Sequence, residues 1–245
     1  MQIQFENQVV VVSGAGHGLG RAIAEAFTAL GARVWGCSPY AAEVPGVRMT
    51  TLDLADRAAA ASWIAAVEAD AGGAVDVLVN NAGGVAGHVH QPVDEVPDSQ
   101  WDTIMAANVG AAFTLARAAA GGMKRRGSGR IVNISSGAGL QPSLTGIQAY
   151  TSAKHAVVGL TRQLAQELGQ HGITVNSVAP GLILSNPDTD KQWASYGAAG
   201  QAAVVGRIAL RRMGTPADIA NAVLFFASPL ADFVNGQILR VDGGR

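Results

Sequence analysis

Tyr150 and Lys154 stand four residues apart in the segment Tyr150-Thr151-Ser152-Ala153-Lys154. The segment opens a stretch of helical spacing, so both side chains lie on one face, close enough to interact. A phenol of pKa near 10 is a poor base at neutral pH, and an ammonium beside it lowers that value by favouring the phenolate, at about 1.4 kcal/mol for each pKa unit. Such a tyrosine can exchange a proton with a substrate oxygen. Upstream, Ser135 and Ser136 close a Val/Ile-rich run, where a hydroxyl can hydrogen-bond a developing oxyanion. A Tyr and a Lys one turn apart also suit an exposed amphipathic helix, so the surrounding chain has to decide.

A second chemical signal lies near the start of the chain. The run Val9 to Ser13 leads directly into Gly14-Ala15-Gly16-His17-Gly18-Leu19-Gly20, and a helical stretch follows. Glycines between a strand and a helix allow positive φ and a close backbone approach to a pyrophosphate, whose charge then rests at the positive end of the helix dipole. The spacing is Gly-x-x-x-Gly-x-Gly, with Leu19 in the place where the G-x-G-x-x-G fingerprint has a glycine. The residue that selects between dinucleotides belongs at the end of the next strand, about 20 residues on. Here that place falls at Cys37-Ser38-Pro39. A carboxylate there would favour NAD and an arginine NADP; Ser38 does neither strongly. His17, if protonated, attracts a 2′-phosphate, so NAD(H) and NADP(H) both remain open.

These groups need a scaffold, and the patterning supplies one. Val9 to Ser13, Arg33 to Cys37, Val75 to Asn80, Arg130 to Ser135, Thr174 to Ala179 and Gln237 to Val241 read as strands. They are apolar throughout rather than alternating, as expected of a parallel sheet buried on both faces. Gly20 to Leu30, Asp56 to Ala71, Asp98 to Met123, Ala149 to Gly169 and Pro216 to Ala227 read as helices. Gly31, Gly72 and Gly121 suit helix stops, and Thr215-Pro216 with Asp218 suits a helix start. The expectation is one α/β domain, residues 1–245, with a doubly wound, Rossmann-like parallel sheet. Residues 181–206, which contain Trp193 and Tyr196, break the alternation and are expected to hold one or two short helices in a substrate loop.

Together with Asn80-Asn81-Ala82-Gly83, Asn108 and Pro180-Gly181, the glycine turn and the Ser-Tyr-Lys set resemble the short-chain dehydrogenase/reductase family over nearly the whole chain. The resemblance implies an NAD(P)-dependent interconversion of a secondary alcohol and a ketone, with a tetrad of Asn108, Ser136, Tyr150 and Lys154. Tyr150 would be the acid in reduction and the base in oxidation. Ser136, chosen over Ser135, would orient the substrate oxygen. Lys154 would bind the nicotinamide ribose, and Asn108 would hold a water linking Lys154 to solvent. Cofactor contacts are implied for Gly14, Gly16, His17, Gly18, Leu19, Gly20, Ser38, Asp53, Leu54, Asn80, Ala82, Gly83, Tyr150, Lys154, Pro180, Gly181, Ile183 and Ser185. The interval from Ser136 to Tyr150 is long for the family. A homotetramer is also implied, pairing through Asp98 to Met123 and Ala149 to Gly169.

Composition excludes several other classes. A formal net charge of -1 argues against a nucleic-acid or anionic-membrane partner. Cys37 is the only cysteine, so no internal disulfide can form, and Met1 to Val10 lack a signal-peptide pattern; a cytoplasmic location is expected. The alanine-rich stretches are broken before the ~20 apolar residues of a membrane span. His88 and His90 have no further ligands at metal spacing, so no metal site is expected. Ser135 and Ser136 lack a G-x-S-x-G elbow, which argues against a hydrolase. An epimerase or dehydratase on the same scaffold, or a non-catalytic dinucleotide-binding regulator, are the alternatives to the oxidoreductase. Trp193, Tyr196 and Leu184 suit an apolar or ring-bearing substrate, whereas Asn186, Asp188 and Gln192 suit sugar hydroxyls.

Overall fold

The computed structural model describes residues 3–245, the side chain of Asp188 excepted. The strands are β1 (Val9–Ser13), β2 (Arg33–Ser38), β3 (Val47–Thr51), β4 (Val77–Asn80), β5 (Gly129–Ile134), β6 (Ile173–Pro180) and β7 (Ile238–Val241). They form one parallel seven-stranded sheet in the order β3-β2-β1-β4-β5-β6-β7. The helices are α1 (Gly18–Ala29), α2 (Arg57–Ala71), α3 (Asp98–Met105), α4 (Ala111–Arg126), α5 (Gln148–Leu168), α6 (Pro187–Ser195), α7 (Gly197–Gly206) and α8 (Pro216–Ala227).

Burial on both faces explains the unbroken apolar strands. Successive strand residues point to opposite faces. Val10 and Val12 of β1 therefore pack with Ile23 and Phe27 of α1 and Val223 and Phe226 of α8. Val9 and Val11 pack on the other side with Trp63 and Ile64 of α2, Leu115 and Met123 of α4, and Leu168 of α5. The sheet is thus doubly wound.

Three local features depart from the sequence expectation. β3 is not among the strands the patterning predicts, because at the sheet edge its VRMTT sequence is half-exposed and shows no continuous apolar run. Val75 and Asp76 precede β4 instead of opening it, with the Asp76 carboxylate accepting from the Val9 amide at 2.7 Å. The stretch expected as one helix from Asp98 to Met123 is α3, a π-helical turn (Ala106–Gly110) and α4. Gly121 lies inside α4, and the left-handed residue that ends it is Gly127. By length and hydropathy alone the run Asp98–Arg126 could cross a membrane. Its apolar residues Leu115, Ala119 and Met123 are instead fully buried in the core.

The start of α8 matches its sequence signal. The Thr215 hydroxyl accepts from the Asp218 amide, and the Asp218 carboxylate accepts from the Thr215 amide at 2.8 Å, a complete capping box with Pro216 in the first turn. Removing a cap of this kind costs about 1 kcal/mol. Thr215→Ala is expected to lower the unfolding free energy by about that amount in urea, with an unchanged slope.

Candidate active site

The strand order reverses between β1 and β4, and in open α/β sheets the carboxyl ends of the strands at such a point border the ligand crevice. Its walls are held by local hydrogen bonds. The Ser13 hydroxyl accepts from the amides of Asn81 and Ala82, each at 3.0 Å. The Asn81 side chain donates to the carbonyls of Ser13 and Gly14, at 3.1 and 3.2 Å. Ser13 and Asn81 fix the glycine turn, a role that the sequence reading missed because it depends on a tertiary contact.

The turn itself leaves backbone donors open. Gly14 and Gly18 take positive φ, +66° and +59°. His17 occupies the N-cap of α1 without a side-chain bond to the helix, so the first α1 amides remain free to meet an anion. Gly16 lies against Ser38: a Cβ there would come within 2.8 Å of the serine hydroxyl. A Cβ on Gly18 would sit 3.0 Å from the Ser185 carbonyl. The fold thereby gathers the turn, the end of β2 and the segment after β6 around one space. The exposed His17 ring stacks parallel to Tyr40 at 6.3 Å. The buried Ser38 hydroxyl accepts from the Tyr40 amide at 3.3 Å. Leu19 packs on the α1/α8 core.

The remaining candidates fall on both sides of this space. Asp53 is exposed and its carboxylate accepts from the Ala55 amide at 2.9 Å, while Leu54 is buried in the core. Asn80 donates to Asn133 at 2.8 Å, and Asn133 to Thr161 at 2.9 Å, a buried chain that ties β4, β5 and α5 together. Gly83 abuts the Asn108 side chain. Pro180 ends β6, Gly181 donates its amide to the Val241 carbonyl at 3.1 Å, and Ile183 is buried beside Gly214 in an isolated bridge.

The proton-transfer candidates meet at the ends of β5 and α5. Ser136 accepts from the Ala138 amide at 3.1 Å, and its hydroxyl is near enough to the Tyr150 phenol to oppose the rise in that group's pKa. Ser135 instead points inward, donating to the Lys154 carbonyl at 3.1 Å. The geometry thus pairs Ser136, not Ser135, with Tyr150. The long interval between them is taken up by a 3-10 turn, Gly137–Gly139, and a polar loop. Gly139 is required there, because a Cβ would come within 2.7 Å of the Lys154 carbonyl. Lys154 is buried, with Nζ 5.8 Å from the Tyr150 ring centroid and donating to the Ile134 carbonyl at 3.0 Å.

The molecule is related over its full length to proteins of known chemistry. Residues 14–245 match the family model described as enoyl-(acyl carrier protein) reductase. The chain is 34% identical over 254 residues to 3-oxoacyl-(acyl-carrier-protein) reductase of Escherichia coli (strain K12), covering 99% of this chain and 98% of that protein. It is 33% identical over 251 residues to 2-dehydro-3-deoxy-D-gluconate 5-dehydrogenase of Bacillus subtilis (strain 168), covering 98% and 95%. A solved structure described as a candidate NAD(P)-dependent gluconate 5-dehydrogenase from Beutenbergia cavernae, with NADP bound at low occupancy, superposes with a TM-score of 0.89. Its identity is 38%, over 99% of this chain and 98% of that one. The chain belongs to the short-chain dehydrogenase/reductase family.

As a short-chain dehydrogenase/reductase it is an NAD(P)-dependent oxidoreductase that interconverts alcohols and ketones. The electrostatics of its candidate site differ from the sequence expectation in one respect. Burial of the Tyr150 phenol raises its pKa above the ordinary value, with the Ser136 hydrogen bond opposing the rise. Desolvation of the phenolate therefore dominates, and the opposing influence comes from Ser136, where the spacing points to Lys154. Burial also pushes Lys154 down, to about 8. Both groups are thus kept nearer their neutral forms than their sequence spacing implies.

Asn108 sits in the π-helical turn, a form that often marks functional sites. It is buried, with its amide donating to the carbonyls of Ile104 and Gly84, each at 2.8 Å, and its oxygen accepting from the Gly84 amide at 3.0 Å. Its side chain therefore fixes the glycines after β4. On the loop after β6, Gln192 donates to the Tyr196 hydroxyl at 2.8 Å and Trp193 meets Tyr196 edge to face at 6.2 Å. The Asp188 side chain, a candidate hydroxyl ligand, lies outside the described residues. A further rim contact joins His90 Nδ1 to the Gly146 carbonyl at 2.9 Å, linking the loop after β4 to the one before Tyr150.

Proposed function

We propose that the whole chain acts as one catalytic domain in which Tyr150 transfers the proton to or from the substrate oxygen. Ser136 orients that oxygen, and Lys154 holds the nicotinamide ribose while favouring the Tyr150 phenolate when charged. Asn108 shapes the floor beside them and keeps a water within reach of Lys154. The observation that carries this reading is the convergence of Tyr150 and buried Lys154, its Nζ 5.8 Å from the Tyr150 ring, at the end of β5 where the Ser136 hydroxyl acts on the Tyr150 phenol. A bound nicotinamide supplies or accepts the hydride. The uncapped amides of α1 and the glycine turn would hold its pyrophosphate, Asp53 and Leu54 with Ala82 and Gly83 the adenosine, and Ile183 and Ser185 the carboxamide.

NADP(H) is the preferred cofactor in this reading. The end of β2 carries Ser38 in place of a carboxylate, so nothing there repels a 2′-phosphate, and the exposed His17 stands beside it. NADP in the Beutenbergia cavernae relative supports the same choice. The substrate is a small-molecule secondary alcohol or ketone held under residues 181–206. The enzyme is cytoplasmic and a homotetramer, pairing through Asp98–Arg126, where Trp101 and Phe113 are exposed, and through α5.

The test is a fluorescence titration with NADPH and NADH, followed by absorbance at 340 nm with 3-oxoacyl thioesters, keto sugar acids and cyclic diketones. NADPH binding at least tenfold tighter than NADH binding, with turnover of one class, is expected. Tight binding without turnover across the panel would replace the oxidoreductase with an epimerase, a dehydratase or a regulator on this scaffold. Light scattering in solution checks the tetramer.

A further inference from the structure

The substrate loop leaves the sheet after β6 and returns before α8, and both of its roots rest on one short segment. At the outgoing root, Gly181 donates to the Val241 carbonyl at 3.1 Å, and a Cβ on Gly181 would sit 2.9 Å from Cβ of Asp242. At the returning root, the Leu210 amide donates to the Gly243 carbonyl at 3.1 Å. A Cβ on Gly243 would come within 2.6 Å of Ile208, and one on Gly244 within 3.0 Å of Ala209. Residues 242–245 therefore form a floor that touches both ends of the loop, and the roots meet each other at the bridge of Ile183 with Gly214.

That floor is irregular chain, with Gly243 and Gly244 at φ +70° and +85°, and one side chain organises it. Asp242, with a side chain 9% exposed, accepts from the amides of Gly244 and Arg245 at 3.0 and 3.4 Å and from Arg240 Nε at 2.8 Å. Arg240 donates in turn to the Arg245 carbonyl at 2.7 Å, closing a ring of contacts. Packing against Ile208 and Ala209 supplies part of this support. A cavity of about 110 Å³ separates floor and loop root, lined by Leu182, Val204, Leu210 and Asp242 among others. Burial pushes the Asp242 carboxyl up, but its two amide donors and Arg240 outweigh that and hold it below its ordinary value.

From these contacts we infer that Asp242 is a positioning residue for the reaction: it shapes residues 242–245 into the support that fixes both roots of the substrate loop, and so places Ile183 and Ser185 at the site. The inference rests on the reading that residues 181–206 cover the substrate. Asp242 touches no reacting group, so its loss loosens the loop before it affects chemistry.

Native-state trypsin digestion tests this directly. Lys191 is an exposed residue of α6 and is cut only when that helix opens, whereas Lys124 and Arg125 in α4 report opening of the sheet-bound core. In Asp242→Ala, cleavage after Lys191 is expected to be about tenfold faster than in wild type, with cleavage at Lys124 and Arg125 unchanged. KM for the ketone should rise by a similar factor while kcat stays within about twofold. An unchanged Lys191 rate, or a rise only in step with Lys124 and Arg125, overturns the inference. Should Asp242→Ala fail to fold, Asp242→Asn keeps an oxygen acceptor but loses the Arg240 ion pair, and about a threefold acceleration at Lys191 is expected; none overturns the inference. Faster cleavage with an unaltered KM would leave the support in place and remove the substrate role of the loop.

Discussion

Tyr150→Phe is expected to lower kcat for ketone reduction by about 10³-fold while leaving NADPH affinity within about twofold of wild type, since general acid catalysis contributes about 10²–10⁴. The substitution deletes one hydroxyl and its interaction with Ser136, and little else. Stopped-flow turnover and fluorescence titration separate the two effects; activity above about a tenth of wild type would remove Tyr150 from the proton-transfer role. The raised phenol also predicts an asymmetry with pH. Reduction needs the neutral phenol, which the burial of Tyr150 preserves across the neutral range. Oxidation of the alcohol needs the phenolate, so its rate should climb with pH in wild type and lose that dependence in the variant.

Lys154→Met should weaken NADPH binding by about tenfold and lower kcat by about 10² or more, because it removes both a ribose donor and the cation that favours the phenolate. The sign of the pH dependence follows from burial. The folded value of about 8 lies below the ordinary lysine value of about 10.4, so the cation persists below about 8 and is lost above it. Cofactor affinity in wild type should therefore fall as pH rises through about 8, and remain flat in Lys154→Met. Stability moves the other way. Between the folded and unfolded values the unfolded chain binds a proton that the folded chain does not, so stability rises with pH over that window, by up to about 3 kcal/mol from this group. Below about 8 both states are protonated and the folded protein bears the buried charge. Thermal denaturation at pH 7 and pH 9.5 should show Lys154→Met closing that difference.

Local spacing carried most of what could be read in advance. The glycine turn, the Tyr150/Lys154 pair and the capped start of α8 are each encoded within a few residues, and each forms as its pattern implies. Strand β3 escaped notice because an edge strand need not be apolar on both faces. The π-helical turn around Asn108 has no compositional signature, being one extra residue accommodated inside an otherwise helical pattern. The hold of Ser13 and Asn81 on the glycine turn joins residues 68 positions apart, beyond any local signal. The acidity of Tyr150 is not encoded locally for a related reason: spacing shows that an ammonium is near, but the fold alone shows how much water has been removed.

The sheet order has a consequence for how the enzyme is assembled. β1 pairs with β2 on one side and with β4 on the other, so the crevice is a seam between an amino-terminal half built on β1 to β3 and a carboxyl-terminal half built on β4 to β7. A dinucleotide lying across that seam would touch both halves and act as a mortar between them. At a concentration one hundred times its Kd such a ligand adds about 2.7 kcal/mol to the folded state. Nascent or heat-stressed chains in a cell rich in this cofactor would then be rescued by the molecule they later use, and cofactor supply would set the abundance of the enzyme as well as its rate.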